Sequence, residues 1–337
     1  MKAFFDDRQQ SHDPKYFMAN GKLLPNPEVP ARVNILKAGA EAAGCIFSAP
    51  SDNGLGPIAA IHTSEYITFL RNIHARWQRI DEASDEVIPN IHPVSRNDAY
   101  PLSAVGQAGY HQADTACPIA ARTYDAAYWS AQTAISASDA ICAGADAAYA
   151  LSRPPGHHAF SDLAGGFCFF NNSAIAAQRL LNNGLRPAIL DVDVHHGNGT
   201  QGIFYNRSDV LTVSIHADPA RFYPFFWGHS AERGLGPGLG ANLNLPLSRG
   251  SDDQAFVKEL DKAIERIINF GSNAIVVALG LDAHVDDPFK GLAITTSGFA
   301  QIGTAIAATG LPLVLVQEGG YVSPVLGDNL TAFLTSI

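Results

Sequence analysis

Charge is scarce in this 337-residue chain: Asp, Glu, Lys and Arg make up 16% of it, against 47% hydrophobic residues. That balance excludes an intrinsically disordered chain and allows a sizeable core. Basic runs are lacking too. The 22 Lys and Arg stand against 32 Asp and Glu, a formal net charge of −10, and no basic stripe is present to carry nucleic acid. An acidic balance suits a cationic substrate and plain solubility equally. Cysteine is rare: Cys45, Cys117, Cys142 and Cys168 stand without CxxC spacing, which argues against a zinc knuckle or a disulfide framework and for free or buried thiols. Apolar runs such as AIVVALGL (274–281) are too short to cross a bilayer, and the opening MKAFFDDRQQSHD lacks the apolar centre of a signal peptide. A cytoplasmic protein without membrane or nucleic-acid partners is the expectation. No linker or fixed-period repeat divides residues 1–337, so one domain is expected, with the polar, proline-bearing stretch 84–118 as a loop insertion.

What is present alternates. The runs 187–194, 209–216, 273–282 and 311–320 are rich in Val, Ile and Leu, and 147–158 is a weaker relative. Continuous apolar character predicts strands covered on both faces, hence a largely parallel sheet. Helical spacing lies between them. Phe256, Leu260, Ile264, Ile267 and Ile268 share one face over 254–270, with Ser251 and Gln254 as an expected capping box. The stretch 174–184 ends on a glycine suited to a C-terminal cap. This alternation predicts an α/β sandwich.

The polar residues fall where such a fold uses them. His157 and His158 follow one strand candidate, Asp191 to His196 end another, and Ser214 and His216 close a third; Asp282 and Glu318 to Tyr321 end the last two. Ligands of parallel α/β sheets bind outside the carboxyl ends of the strands. If extended geometry persists through 191–195, Asp191, Asp193 and His195 share one side, opposite His196. Mixed Asp and His ligands suit a borderline divalent ion such as zinc, and Asp282 would complete three ligands with one position open. The tandem histidines suit proton transfer near neutral pH, and Tyr321 behind two glycines could donate to a developing oxyanion. A buried hydrogen-bonded network without metal is the alternative. Taken together the parts describe a metal-assisted amide hydrolase, with no GxSxG, HExxH or P-loop to offer a competing chemistry.

RPPGHH (153–158), GGFCFFNN (165–172), DVDVHHGNGT (191–200), GLD (280–282) followed by DP (287–288), and EGGY (318–321) occur in the order seen in histone deacetylases and their bacterial relatives. From about residue 25 onward, beginning around Pro30 and Arg32, the chain resembles that family, and most of all its bacterial acetylpolyamine amidohydrolases, in QRLLNNG (178–184) and GNGTQGIFY (197–205). The resemblance implies a single-domain three-layer sandwich with a central, mostly parallel sheet, and one zinc ion per chain on Asp193, His195 and Asp282. It implies His158 as general base and then acid, His157 as an electrostatic partner, and Tyr321 as the carbonyl-polarising group. Asp191 would orient His157 and hold a structural potassium ion with Ser214 and the carbonyls of Asp193, His195 and Ile215. A second potassium would lie near Phe204, Arg207 and Val210.

The same resemblance makes Gly166 and Phe167 part of the substrate tunnel, with the glycine carbonyl accepting the amide N–H and Tyr223 as the facing aromatic wall. Two positions depart from the family pattern. Asn198 stands where some members place an aspartate against the second histidine, and Phe289 where a polyamine-selective relative has a glutamate. The implied partners are small acetylated amines and a second copy of the chain, since relatives use the region of the 84–118 insertion for dimerisation and for narrowing the tunnel. Asp114 in that insertion is a candidate amine partner. Broader acyl-lysine deacetylation, binuclear manganese ureohydrolysis around Asp286 and Asp287, and a non-catalytic ligand sensor are the alternatives.

Overall fold

Ten strands form in the computed structural model, which describes residues 1–96 and 99–337: β1 (Lys2–Phe4), β2 (Tyr16–Ala19), β3 (Lys22–Pro25), β4 (Ile46–Ser48), β5 (Ala147–Ala150), β6 (Pro187–Asp191), β7 (Leu211–Ala217), β8 (Asn242–Leu247), β9 (Ala274–Leu279) and β10 (Leu313–Gln317). Eight of them make one sheet in the order β4-β1-β5-β10-β9-β6-β7-β8, and β2 pairs with β3 as a separate hairpin. Every pairing in the large sheet is parallel.

Alternation along the strands explains the layers. Leu313 and Leu315 of β10 join a core with Val33 and Leu36, Phe256 and Leu260, and Phe299 and Ile302 on one face. Val314 and Val316 join the opposite core with Ile135, Ala174 and Phe170. Helices therefore cover both faces, and the expected three-layer sandwich is the architecture observed.

Local differences from the sequence reading have local causes. The helix Asp253–Phe270 is capped by Asp252, whose carboxylate accepts from the Ala255 N–H at 3.0 Å, rather than by Ser251; the carboxylate is the better acceptor for the exposed first-turn amides. The helix Asn172–Asn182 ends as anticipated, with Gly184 at φ +85°. The insertion 84–118 is not a bare loop: Ala104–His111 is a helix capped by the Ser103 hydroxyl, and Val87 bridges Ile119. Val87, Ala108 and Cys117 of this segment are buried in the second core. Asn97 and Asp98 of the insertion lie outside the described residues. All four cysteines are free, three of them buried. Among the described residues no helix is long and apolar enough to cross a membrane.

Candidate active site

Strands β5, β10, β9, β6 and β7 are neighbours in the sheet, so the polar residues that follow them meet at one edge. The apolar run of β6 stops at Asp191, earlier than its composition suggests. Two successive Asx turns stop it: Asp191 Oδ1 accepts the Asp193 N–H at 3.1 Å, and Asp193 Oδ1 accepts the His195 N–H at 2.9 Å. These turns keep Asp191, Asp193 and His195 on one side. His196 faces the other way, against Gln201 and Asn244 at 3.0 and 3.2 Å.

Asp193, His195 and Asp282 are buried, and their ligand atoms lie within 4.8 Å of one another. His195 Nδ1 is 3.2 Å from Asp193 Oδ1 and 3.1 Å from Asp282 Oδ2. The remaining carboxylate oxygens are fixed by backbone amides, Gly319 N–H on Asp193 Oδ2 at 2.8 Å and Val194 N–H on Asp282 Oδ1 at 3.0 Å. Donors bound tetrahedrally at about 2.0–2.1 Å stand roughly 3.3 Å apart, so the spacing fits a small divalent cation. The electrostatics agree. Burial and the neighbouring Asp193 push the Asp282 carboxyl up, while His157 and His195 hold Asp193 down despite its own burial; a cation relieves two buried acids sharing one site. A second group, His157, Cys168 and Glu318, also lies close together. There the Glu318 oxygens are occupied by the Gly156 and His157 N–H groups at 2.6 and 3.0 Å and by the Ser173 hydroxyl at 2.8 Å. Glu318 thus pins the tandem-histidine loop to the end of β10.

The two histidines are in opposite states. Burial opposes the charge on His157, but Asp191, with Oδ2 2.9 Å from Nδ1, and Asp193 outweigh it and raise the imidazole to about 10. His158 is pushed well below its ordinary range by burial and by the nearby His157 and His195. Its Nδ1 is 2.7 Å from Asn198 Oδ1. The amide oxygen can only accept, so Nδ1 carries the proton and Nε2 keeps a lone pair.

Tyr321 is buried, and burial raises its phenol well above 10, with Asp282 adding to the effect. Asp287 positions it: one oxygen accepts the Tyr321 N–H at 3.1 Å and the other the Phe289 N–H at 2.9 Å. Both Asp287 oxygens thus accept backbone donors, and Asp286 is exposed. Arg32 donates to the carbonyls of Gly320 and Glu318 at 2.6 and 2.7 Å and holds the turn before the tyrosine.

Asp193, His195, both tandem histidines and Tyr321 line one cavity of about 570 Å³, with Gly166, Phe167, Tyr223 and Phe289 on its walls. Phe289 packs 4.8 Å from Tyr321, and Tyr223 stands 4.9 Å from His158. Gly166 has φ +48°, and a Cβ there would come within 2.4 Å of the His158 ring, so only glycine fits. Asp114 also reaches the cavity, but as a buttress. It accepts the Tyr223 hydroxyl at 2.6 Å, the Gly166 N–H at 3.1 Å and the Ala116 N–H at 2.8 Å. Next to the Asp193–His195–Asp282 cluster, Asp191 pairs in register with Ser214, and both border a small space of about 10 Å³. The expected site residues from five strand ends are therefore together. The roles of Glu318, Asp287 and the asparagines were not visible beforehand. Asn171 holds the Ala159 carbonyl at 2.9 Å and Asn172 the Pro154 carbonyl at 3.2 Å, contacts that only the folded chain brings about.

The histone deacetylase domain profile matches residues 26–337. An acetylpolyamine amidohydrolase of Burkholderia pseudomallei is 46% identical over 334 residues, covering 99% of this chain and 97% of that protein. The acetylpolyamine amidohydrolase of Mycoplana ramosa is 40% identical over 340 residues, 100% of this chain and 99% of that one. A crystal structure of acetylpolyamine aminohydrolase from Burkholderia pseudomallei superposes with a TM-score of 0.97 at 45% identity, covering 100% and 98% of the two chains. The HD domain of HDA15 superposes at 0.81 with 26% identity, covering 99% and 90%. Five converging strand ends, a buried Asp193–His195–Asp282 cluster beside tandem histidines, and these likenesses agree: the chain belongs to the histone deacetylase family.

Proposed function

We propose that the protein is a zinc-dependent amidohydrolase that removes acetyl groups from acetylated polyamines and small diamines, with one zinc per chain on Asp193, His195 and Asp282. The observation that carries this reading is the buried Asp193–His195–Asp282 cluster opening into the cavity that also holds a neutral histidine and a phenol. The names of the relatives in Burkholderia and Mycoplana supply the substrate class. Asp193, His195 and Asp282 would hold the zinc, which would supply Lewis-acid chemistry for the acyl carbonyl and for an attacking water.

The chain does the rest. His158 Nε2, free because Nδ1 is committed to Asn198, takes the proton of the water and returns it to the departing amine. His157, cationic beside Asp191, lowers the energy of negative charge developing nearby. Tyr321 donates its O–H to the oxyanion, placed by Asp287 and Arg32. The Gly166 carbonyl receives the substrate amide N–H, and Phe167 and Tyr223 hold the alkyl stem between them. Structural potassium would sit on Asp191, Ser214 and the carbonyls of Asp193, His195 and Ile215, with a second ion near Phe204, Arg207 and Val210. The protein acts as a cytoplasmic homodimer in this reading, through the insertion that exposes Ile91, Val94 and Leu102.

A turnover screen of the zinc-loaded protein across acetylputrescine, acetylspermidine and an acetyl-lysine peptide tests the proposal. The acetylated polyamines should have the higher kcat/KM. Markedly faster peptide turnover would point to a broader acyl-lysine deacetylase, and light scattering that finds only monomer removes the dimer.

A further inference from the structure

Outside the reacting centre the cavity ends in aromatic side chains that the chemistry does not use. Ring centroids step 6.1 Å from His195 to Tyr223 and 6.3 Å onward to Phe225. Phe226 and Trp227 follow on the same loop and line the same cavity, and Phe160 meets Trp227 edge to face at 5.4 Å. Phe225 is 50% and Phe226 85% exposed. Consecutive large rings left open to water form a contiguous patch, the kind of surface that marks a binding site.

Charge says what would bind there. Among the described residues, no lysine or arginine lines the cavity, and the chain as a whole carries −10. Asp114, a carboxylate of the wall that is not a metal ligand, already accepts from Tyr223, Gly166 and Ala116. Along the cavity wall an ammonium group thus meets no lysine or arginine, and the Asp114 carboxylate already has three donors. The ammonium meets ring faces, which attract cations through their quadrupole.

We propose that Phe225, Phe226 and Trp227 form a cation subsite at the tunnel mouth that receives the distal ammonium of the substrate by cation–π attraction. The inference rests on the deacetylation reading above and adds how the amine is selected without an acidic residue at Phe289. A ring face asks for charge and not for N–H donors, so it accepts a quaternary ammonium as readily as a primary one. A carboxylate partner would prefer the group that can donate hydrogen bonds.

The test compares three substrates of equal chain length on the zinc-loaded protein: acetylputrescine, its trimethylammonium analogue, and the neutral N-alkylacetamide. Both cations should exceed the neutral amide about tenfold in kcat/KM. The Phe226→Leu/Trp227→Leu double variant should lose that advantage through KM, while Trp227→Phe, which keeps a ring, retains most of it. Equal turnover of neutral and cationic substrates overturns the subsite, as does an advantage confined to the primary ammonium or one that survives the double variant. Light scattering that shows the double variant turning a dimer into monomers makes the patch a subunit contact and also overturns it. The substrate comparison on the unaltered protein decides even where the double variant does not fold. No turnover of any of the three amides overturns the deacetylation reading itself, and the subsite with it.

Discussion

The division of labour between His157 and His158 comes from what touches each Nδ1: an aspartate in one case, an amide oxygen in the other. His158 accepts a proton only while neutral, so the partner on Nδ1 sets the acid limb of the rate profile. Asn198→Asp places a negative charge there, raises the imidazole pKa, and keeps it protonated to higher pH. The acid limb of kcat/KM should move upward by about one pH unit, and an unmoved limb would mean another group controls it. His158→Ala and Tyr321→Phe should each reduce kcat by two or more orders of magnitude with circular dichroism unchanged. Near-normal rates in either variant would show its role to be misassigned.

At the scale of elements, the polar ends of the strands were legible in the sequence because parallel strands buried on both faces read as plain apolar runs, and anything charged at their ends stands out. The Asx turns that stop β6 at Asp191 were not, since a turn that keeps the strand's facing leaves the apolar pattern intact. The helix Ala104–His111 escaped because it is short and follows a proline-bearing stretch. Glu318 illustrates the general limit: its acceptors serve Gly156 and His157, more than 160 residues away in sequence, and no local pattern encodes that. The loop ahead of the helix Ser64–Trp77 carries a second such case, His62. Its Nε2 accepts the Asn171 N–H at 2.9 Å, and burial pushes the imidazole down to about 4. The folded pKa lies below the unfolded one, so this stability is present above about pH 6.5 and is lost as pH falls. Between pH 7.5 and 5 the loss is ~2 kcal/mol. A His62→Gln variant, whose side-chain oxygen can take the same N–H, should therefore close its gap in denaturant midpoint to the parent protein as the solution is acidified. A constant gap would show that His62 stays neutral for another reason.

For the molecule as a whole, the Asp193–His195–Asp282 cluster is a point of electrostatic tension. Asp193 and Asp282 are wholly buried acids facing one imidazole. Stripping divalent ions with a chelator should lower the thermal midpoint, and zinc should restore it, by about 4 kcal/mol at free metal a thousandfold above Kd. An unchanged midpoint would mean that the cluster is a hydrogen-bonded network and not a metal centre.

The order of the sheet has one more consequence. β10, last of the strands along the chain, lies between β5 and β9, and the turn that follows it supplies Tyr321. Until residues 313–321 have left the ribosome and slotted into that gap, the two halves of the sheet stay unjoined, so a nascent polypeptide that has not yet released them is silent towards its substrate.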